Sequence, residues 1–214
     1  MNARDKIIGR IRDGQSRVQT DIPTENVARH LAWHPRGPFP PPPNDLAACF
    51  KERAIKLSSD VLETNDRMDV PALLARYLGE RELPMCGVCW PSLAGLSWSA
   101  AGLDIQSRTA INQDMVGVTG AFCAIAETGT LMMLSGADTP ATTSLLPETH
   151  VAVLDPGRIV ATMEDAWDLM RKECQQPPRA VNFISGPSRT ADIEQTVTLG
   201  AHGPYRVLLI LAPH

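Results

Sequence analysis

Three things are missing from this chain, and each absence narrows its function class: a basic stripe, a long apolar run and an ordered set of cysteines. The 20 lysines and arginines stand against 24 acidic residues, for a net charge of −4 with no cationic block. A general nucleic-acid binder needs clustered cations to neutralise phosphates, so that class is set aside. The apolar runs are far too short to span a bilayer, so no membrane span is expected. The sequence from Met1 to Lys6 runs straight into charged, helix-like sequence rather than a secretory leader, so a cytoplasmic protein is expected.

Five cysteines at 49, 86, 89, 123 and 174 form no disulfide framework. Cys86-Gly87-Val88-Cys89 is formally a Cys-x-x-Cys pair, but it reads as a short buried strand ending before Pro91. Residues three apart on a strand point to opposite faces, so these sulfurs diverge. A zinc or iron–sulfur site needs further ligands at matched spacing, and no second pair supplies them.

Among what is present, Arg4 to Val18 carries Ile7, Ile8 and Ile11 at helical spacing among charges and predicts an amphipathic helix. Pro35 to Pro43, with six prolines in nine residues, predicts an extended linker. Two parts follow: an N-terminal helical arm and linker over residues 1–43, and an α/β domain over 44–214. In the second part, Asn44 or Asp45 caps a helix faced by Leu46, Phe50, Ala54 and Leu57. Asp60–Thr64 is a strand, and Asp69 caps a helix with Pro71 in its first turn. Strands follow at Met85–Trp90, Val116–Val118, Leu131–Leu134, Val151–Leu154, Val181–Ile184 and Arg206–Leu211. Thr162 opens a further helix with Asp165 placed for a capping box, and another helix is predicted from about Arg189 to Gly200. Strands alternating with helices predict a largely parallel sheet covered by helices on both faces, with ligands at the strands' carboxyl ends.

The chemistry-bearing residues gather in four places. Glu127 lies beside Thr128, Gly129 and Thr130 between two apolar runs, where a carboxylate is costly unless paired or used. It reads either as a nucleophile or general base, or as a partner of Arg189, Arg108 or His150 that ties loops together. Ser185-Gly186-Pro187-Ser188-Arg189-Thr190 reads as a small-residue turn entering a helix, with Asp192 and Glu194 in its first turns. Such a turn suits a phosphate or carboxylate, although the two acids oppose one. It lacks the phosphate-loop and dinucleotide fingerprints. Ser135 and Gly136 form a turn after the Leu131–Leu134 strand. Glu148, His150 and His202 border other turns; nothing sets them at ligand spacing, and no metal is expected.

The segments Thr119–Ala121, Ala124–Thr130, Ser144–His150, Gly186–Glu194 and Gly200–Pro204 closely resemble, in order and spacing, the lactate utilisation protein C family of the LUD-domain group. The resemblance spans roughly residues 100–212. It implies an α/β fold like that of sugar-phosphate isomerases and coenzyme A transferases. It also implies a part in oxidising L-lactate to pyruvate beside a cysteine-rich protein and an iron–sulfur protein. On that basis this chain is expected to be a non-redox subunit that binds substrate or bridges partners, with no cofactor of its own and the iron–sulfur clusters in its partners. In the related transferases a glutamate is the nucleophile, and Glu127 is its counterpart by analogy of fold alone. The competing expectation is a stand-alone enzyme or sensor for a small phosphorylated or acyl/carboxylate ligand, working through Glu127 and the Ser185–Thr190 loop.

Overall fold

The computed structural model of the chain describes residues 3–14, 24–33, 37, 41–190, 198–200 and 202–213. The chain divides into two compact units, 1–40 and 41–214. In the first, α1 (Ala3–Gly14) matches the predicted amphipathic helix, and a second helix, α2 (Thr24–Trp33), was not anticipated. Ile7 and Ile11 on α1 and Leu31 and Trp33 on α2 are exposed. Most of the proline segment, 35–36 and 38–40, lies outside the described residues.

The second unit begins with α3 (Leu46–Lys56), β1 (Asp60–Glu63), α4 (Val70–Glu80), β2 (Cys86–Cys89), β3 (Asp104–Ser107) and β4 (Val116–Gly120). It continues with β5 (Cys123–Ile125), β6 (Thr130–Leu134), a single turn α5 (Thr142–Leu145), β7 (Thr149–Leu154) and β8 (Ile159–Val160). It ends with α6 (Met163–Glu173), β9 (Val181–Ile184), β10 (Arg189–Thr190), β11 (Thr198–Leu199) and β12 (Arg206–Leu211). Six strands form one sheet in the order β1-β12-β7-β4-β2-β3, every neighbouring pair parallel. A second, mixed sheet runs β8-β5-β6-β9.

Local chemistry explains most of these boundaries. Asp45 caps α3 by accepting from the Ala48 N–H at 2.9 Å. Thr162 and Asp165 form the expected reciprocal capping box on α6. Asp69 does not cap α4; its carboxylate accepts from the Thr64 hydroxyl at 3.0 Å, and Asp66 caps the preceding short turn instead. The predicted helix from Arg189 to Gly200 is corrected at both ends, because β10 and β11 pair there as antiparallel strands. Residues 191–197, with Asp192 and Glu194, lie outside the described residues.

One face of the parallel sheet is covered by α4, where Val70, Leu74 and Leu78 pack against Val118, Val151 and Leu208. On the other face α3 and the mixed sheet share a core that includes Phe50, Ala54, Leu131, Leu154 and Leu209. The mixed sheet in turn carries α6 on its far side, through Cys123, Ile125, Met132, Ala166 and Met170. The layering is therefore helix, sheet, helix with sheet, then helix. Cys86 is exposed and Cys89 buried, so the Cys-x-x-Cys sulfurs diverge as expected, and burial pushes the Cys89 thiol up to about 11. No helix among the described residues is long and apolar enough to cross a membrane.

Candidate functional site

In an open parallel sheet, ligands sit beyond the carboxyl ends of two neighbouring strands whose onward connections leave in opposite directions. Here β2 leads outward to the edge strand β3, whereas β4 leads to β7 on its other side. At that position a cleft of about 710 Å³ opens, within the size range of small-molecule sites. Trp90 and Ser92 follow β2, Gly120 to Phe122 end and follow β4, and Asp155 follows β7. Leu134, Ser135 and Thr139, which end and follow β6, together with Cys174 and Pro178 after α6, form the opposite wall. Trp90 is fixed in place: its indole N–H donates to the Pro140 carbonyl at 3.2 Å, and its ring lies against Gly120.

Two arginines line the cleft with different chemistry. Arg158 holds Glu173 through two bonds of 2.7 and 2.9 Å and donates through Nε to the Phe122 carbonyl. This pairing holds the Glu173 carboxyl below its usual range. Arg67, on the turn after β1, is half-buried, and its guanidinium has no ion pair or hydrogen bond among the described residues. An unpaired guanidinium at an apolar cleft is suited to gripping a carboxylate through two parallel bonds. Asp155 uses one oxygen to cap the next turn, accepting from the Gly157 N–H at 2.8 Å. Ser135 Oγ accepts from the Ala180 N–H at 2.8 Å and keeps its own proton to give.

Of the residues singled out in the sequence, Ser135 lines this cleft, and Gly136 follows it in the same turn. The others fall elsewhere. Glu127, half-buried in the β5–β6 turn, pairs with none of Arg189, Arg108 or His150. Its Oε1 accepts from the Met163 N–H at 2.8 Å, at the start of α6. Arg108 instead clamps Asp114 with two bonds of 2.7 Å. Thr128 is exposed, and Thr130 shares a 2.8 Å hydroxyl–hydroxyl bond with Ser185. Gly129 (φ +67) and Gly186 (φ +81) both abut α3: an added Cβ would sit 2.6 Å from the Ala54 nitrogen and 2.3 Å from the Leu57 carbonyl oxygen, respectively. Pro187 follows in that turn, and Arg189 donates to the Leu57 carbonyl and to the Ser58 hydroxyl. Ser188 donates its N–H to the Pro204 carbonyl, and its hydroxyl meets the His202 N–H at 3.4 Å, while Thr190 pairs with Thr198. Glu148 is exposed at the amino end of β7 and faces Arg206 at 3.7 Å. His150 is fully buried in β7, bonded through Nε2 to Thr119 at 2.8 Å, and burial alone pulls it down to about 4.

Arg67, Trp90, Phe122, Asp155 and Arg158 are not among the residues the sequence points to as a site, and Gly120 and Ala121 enter there only within the family-like segment Thr119–Ala121. Trp90 ends and Asp155 directly follows a predicted strand, and Gly120 lies two residues beyond the predicted Val116–Val118 strand, which the structure extends to Gly120. The carboxyl-end rule points at all three once the order of strands is known.

A parallel α/β sheet with a ligand-sized cleft at its switch point defines the class of protein. The LUD domain family profile matches residues 94–212, and the chain belongs to that family. It is 28% identical over 188 residues to a Bacillus subtilis protein named Lactate utilization protein C, covering 78% of each chain. An Exiguobacterium protein of the same name is 31% identical over 179 residues, covering 78% of this chain and 77% of the relative. A crystal structure of a DUF162 family protein from Deinococcus radiodurans superposes with a TM-score of 0.58 over 78% of this chain and 96% of that one. At 21% identity this likeness supports the fold.

Proposed function

We propose that this protein is a non-redox subunit of an L-lactate utilisation system and binds a small carboxylate in the cleft at the carboxyl end of its parallel sheet. The observation that carries the second half is Arg67: a guanidinium without a described partner, at the place where this class of fold gathers ligands. The name shared by its relatives supports the first half. Converting a 2-hydroxy acid to a 2-oxo acid releases two electrons and two protons, so an electron acceptor must work beside this subunit. In this proposal that acceptor is supplied by cysteine-rich and iron–sulfur partner proteins in the cytoplasm. The scatter of the five cysteines supports placing the clusters in those partners.

The test is lactate-dependent dye reduction in extracts of a strain from which this chain is deleted. Activity that disappears with the chain and returns with it, together with co-purification of iron–sulfur partners, is expected. Unchanged activity after deletion contradicts the proposal.

A further inference from the structure

We propose that the cleft takes 2-hydroxy or 2-oxo acids with a bulky apolar side chain, the carboxylate on Arg67 and the side chain against Trp90, Phe122, Leu134 and Val153. This deepens the proposed function and rests on the cleft being the ligand site.

Size is the first argument. A three-carbon acid fills only a small part of about 710 Å³ and leaves the wall without contacts. The wall is the second argument: Ala121, Phe122, Leu134 and Pro178 are half-buried, with Trp90 and Val153 almost fully buried behind them and Arg158 over the Phe122 ring. This apolar lining exceeds what lactate's single methyl covers. A ligand with a ring or branched chain gains affinity there in proportion to the apolar area it removes from water.

Charge is the third argument, and it sets the ligand's polar end. Arg158 is already neutralised by Glu173, and Asp155 adds a negative charge to the same cleft. The two cations and two anions of the lining cancel, so what Arg67 offers a ligand is directed bonding by the lining's one unpaired guanidinium among the described residues. One carboxylate can use it, and a second anionic group finds no cation and meets Asp155. Phosphate monoesters and dicarboxylates are disfavoured on that ground. Thr139 already donates its hydroxyl proton to the Leu134 carbonyl at 2.7 Å. The Ser135 hydroxyl keeps its proton for the oxygen at carbon 2, with the exposed Ser92 and Gln176 side chains as further donors on the lining.

The experiment is calorimetric titration of the full chain with L-lactate, 2-hydroxyisocaproate, 3-phenyllactate and 3-phenyl-1,2-propanediol, with inorganic phosphate as competitor. Affinity is expected to rise along the three acids, with 3-phenyllactate binding about tenfold or more tighter than lactate. The diol, which lacks the carboxylate, is expected to lose about tenfold, and Arg67→Gln to lose a similar factor for 3-phenyllactate with an unchanged melting curve. Arg67→Lys is expected to retain part of that affinity. Lactate binding as tightly as 3-phenyllactate, still dependent on Arg67, overturns the side-chain inference and leaves the cleft as the site. Phosphate displacing 3-phenyllactate, or indifference to Arg67→Gln, overturns the anchoring. If none of the acids binds, the cleft is not the ligand site, and the proposed function loses its second half as well.

Discussion

The β5–β6 turn with the Ser185–Arg189 turn, and the cleft at the end of β2 and β4, use their polar groups in opposite ways. In the first region nearly every distinctive group is engaged within the fold. Glu127 holds the start of α6, Thr130 holds Ser185, and Arg189 holds the end of α3. Gly129 and Gly186 let two turns press onto α3 where a side chain has no room. In the second region the residues are ordinary in sequence, yet Arg67 and the Ser135 hydroxyl retain bonding capacity toward open space. Dense motifs thus mark the seam that joins mixed sheet, α3 and α6, and the binding chemistry lies where the parallel strands end.

The largest test of this contrast is Gly186→Ala. Its Cβ would collide with the Leu57 carbonyl at a left-handed φ, so a loss of about 3 kcal/mol or more is expected in urea unfolding. A neutral result would mean that the turn does not grip α3.

His150 gives the next effect, through pH. Its folded value of about 4 lies below the ordinary 6.5, so above pH 6.5 it is neutral in both states. As pH falls from 6.5 toward 4, the unfolded chain gains a proton that the native chain refuses. Stability then drops by about 1.4 kcal/mol per pH unit, to a total of about 3. His150→Gln should flatten that part of the stability profile, and an unchanged slope would place the acid sensitivity elsewhere.

Glu127→Gln keeps an acceptor for the Met163 N–H but removes the charge at the start of α6. It should cost about 0.5–1 kcal/mol by chemical denaturation. A gain in stability would instead mark a carboxylate held under strain for another purpose. The smallest stability effect belongs to Arg67→Gln, within about 0.5 kcal/mol of wild type, because no described partner is lost. A large destabilisation would turn Arg67 into a framework residue and erase the contrast.

Elements set by neighbouring residues were legible in the sequence. The α6 capping box, the Asp45 cap and the alternation of helices with buried strands follow from short-range spacing. The three-residue β5 was hidden because Cys123–Ile125 sits in a continuous apolar stretch with no punctuation of its own. Ser188 followed by acids imitates a helix cap, so the local pattern predicts a helix where β10 and β11 pair antiparallel. The candidate site was the least legible part. Its residues come together only through the strand order, and pairing β4 with both β2 and β7 is a long-range outcome that local pattern does not encode. Glu127 drew notice because a carboxylate among apolar residues needs a reason, and the start of α6, 36 residues further on, supplies one.

The contrast is tested most directly by lactate-dependent dye reduction in extracts of a strain lacking this chain, restored with wild type, Glu127→Gln or Arg67→Gln. The account predicts that wild type and Glu127→Gln restore activity and that Arg67→Gln, though folded, does not. Restoration by Arg67→Gln with failure of a folded Glu127→Gln would contradict it and move the chemistry to the β5–β6 turn.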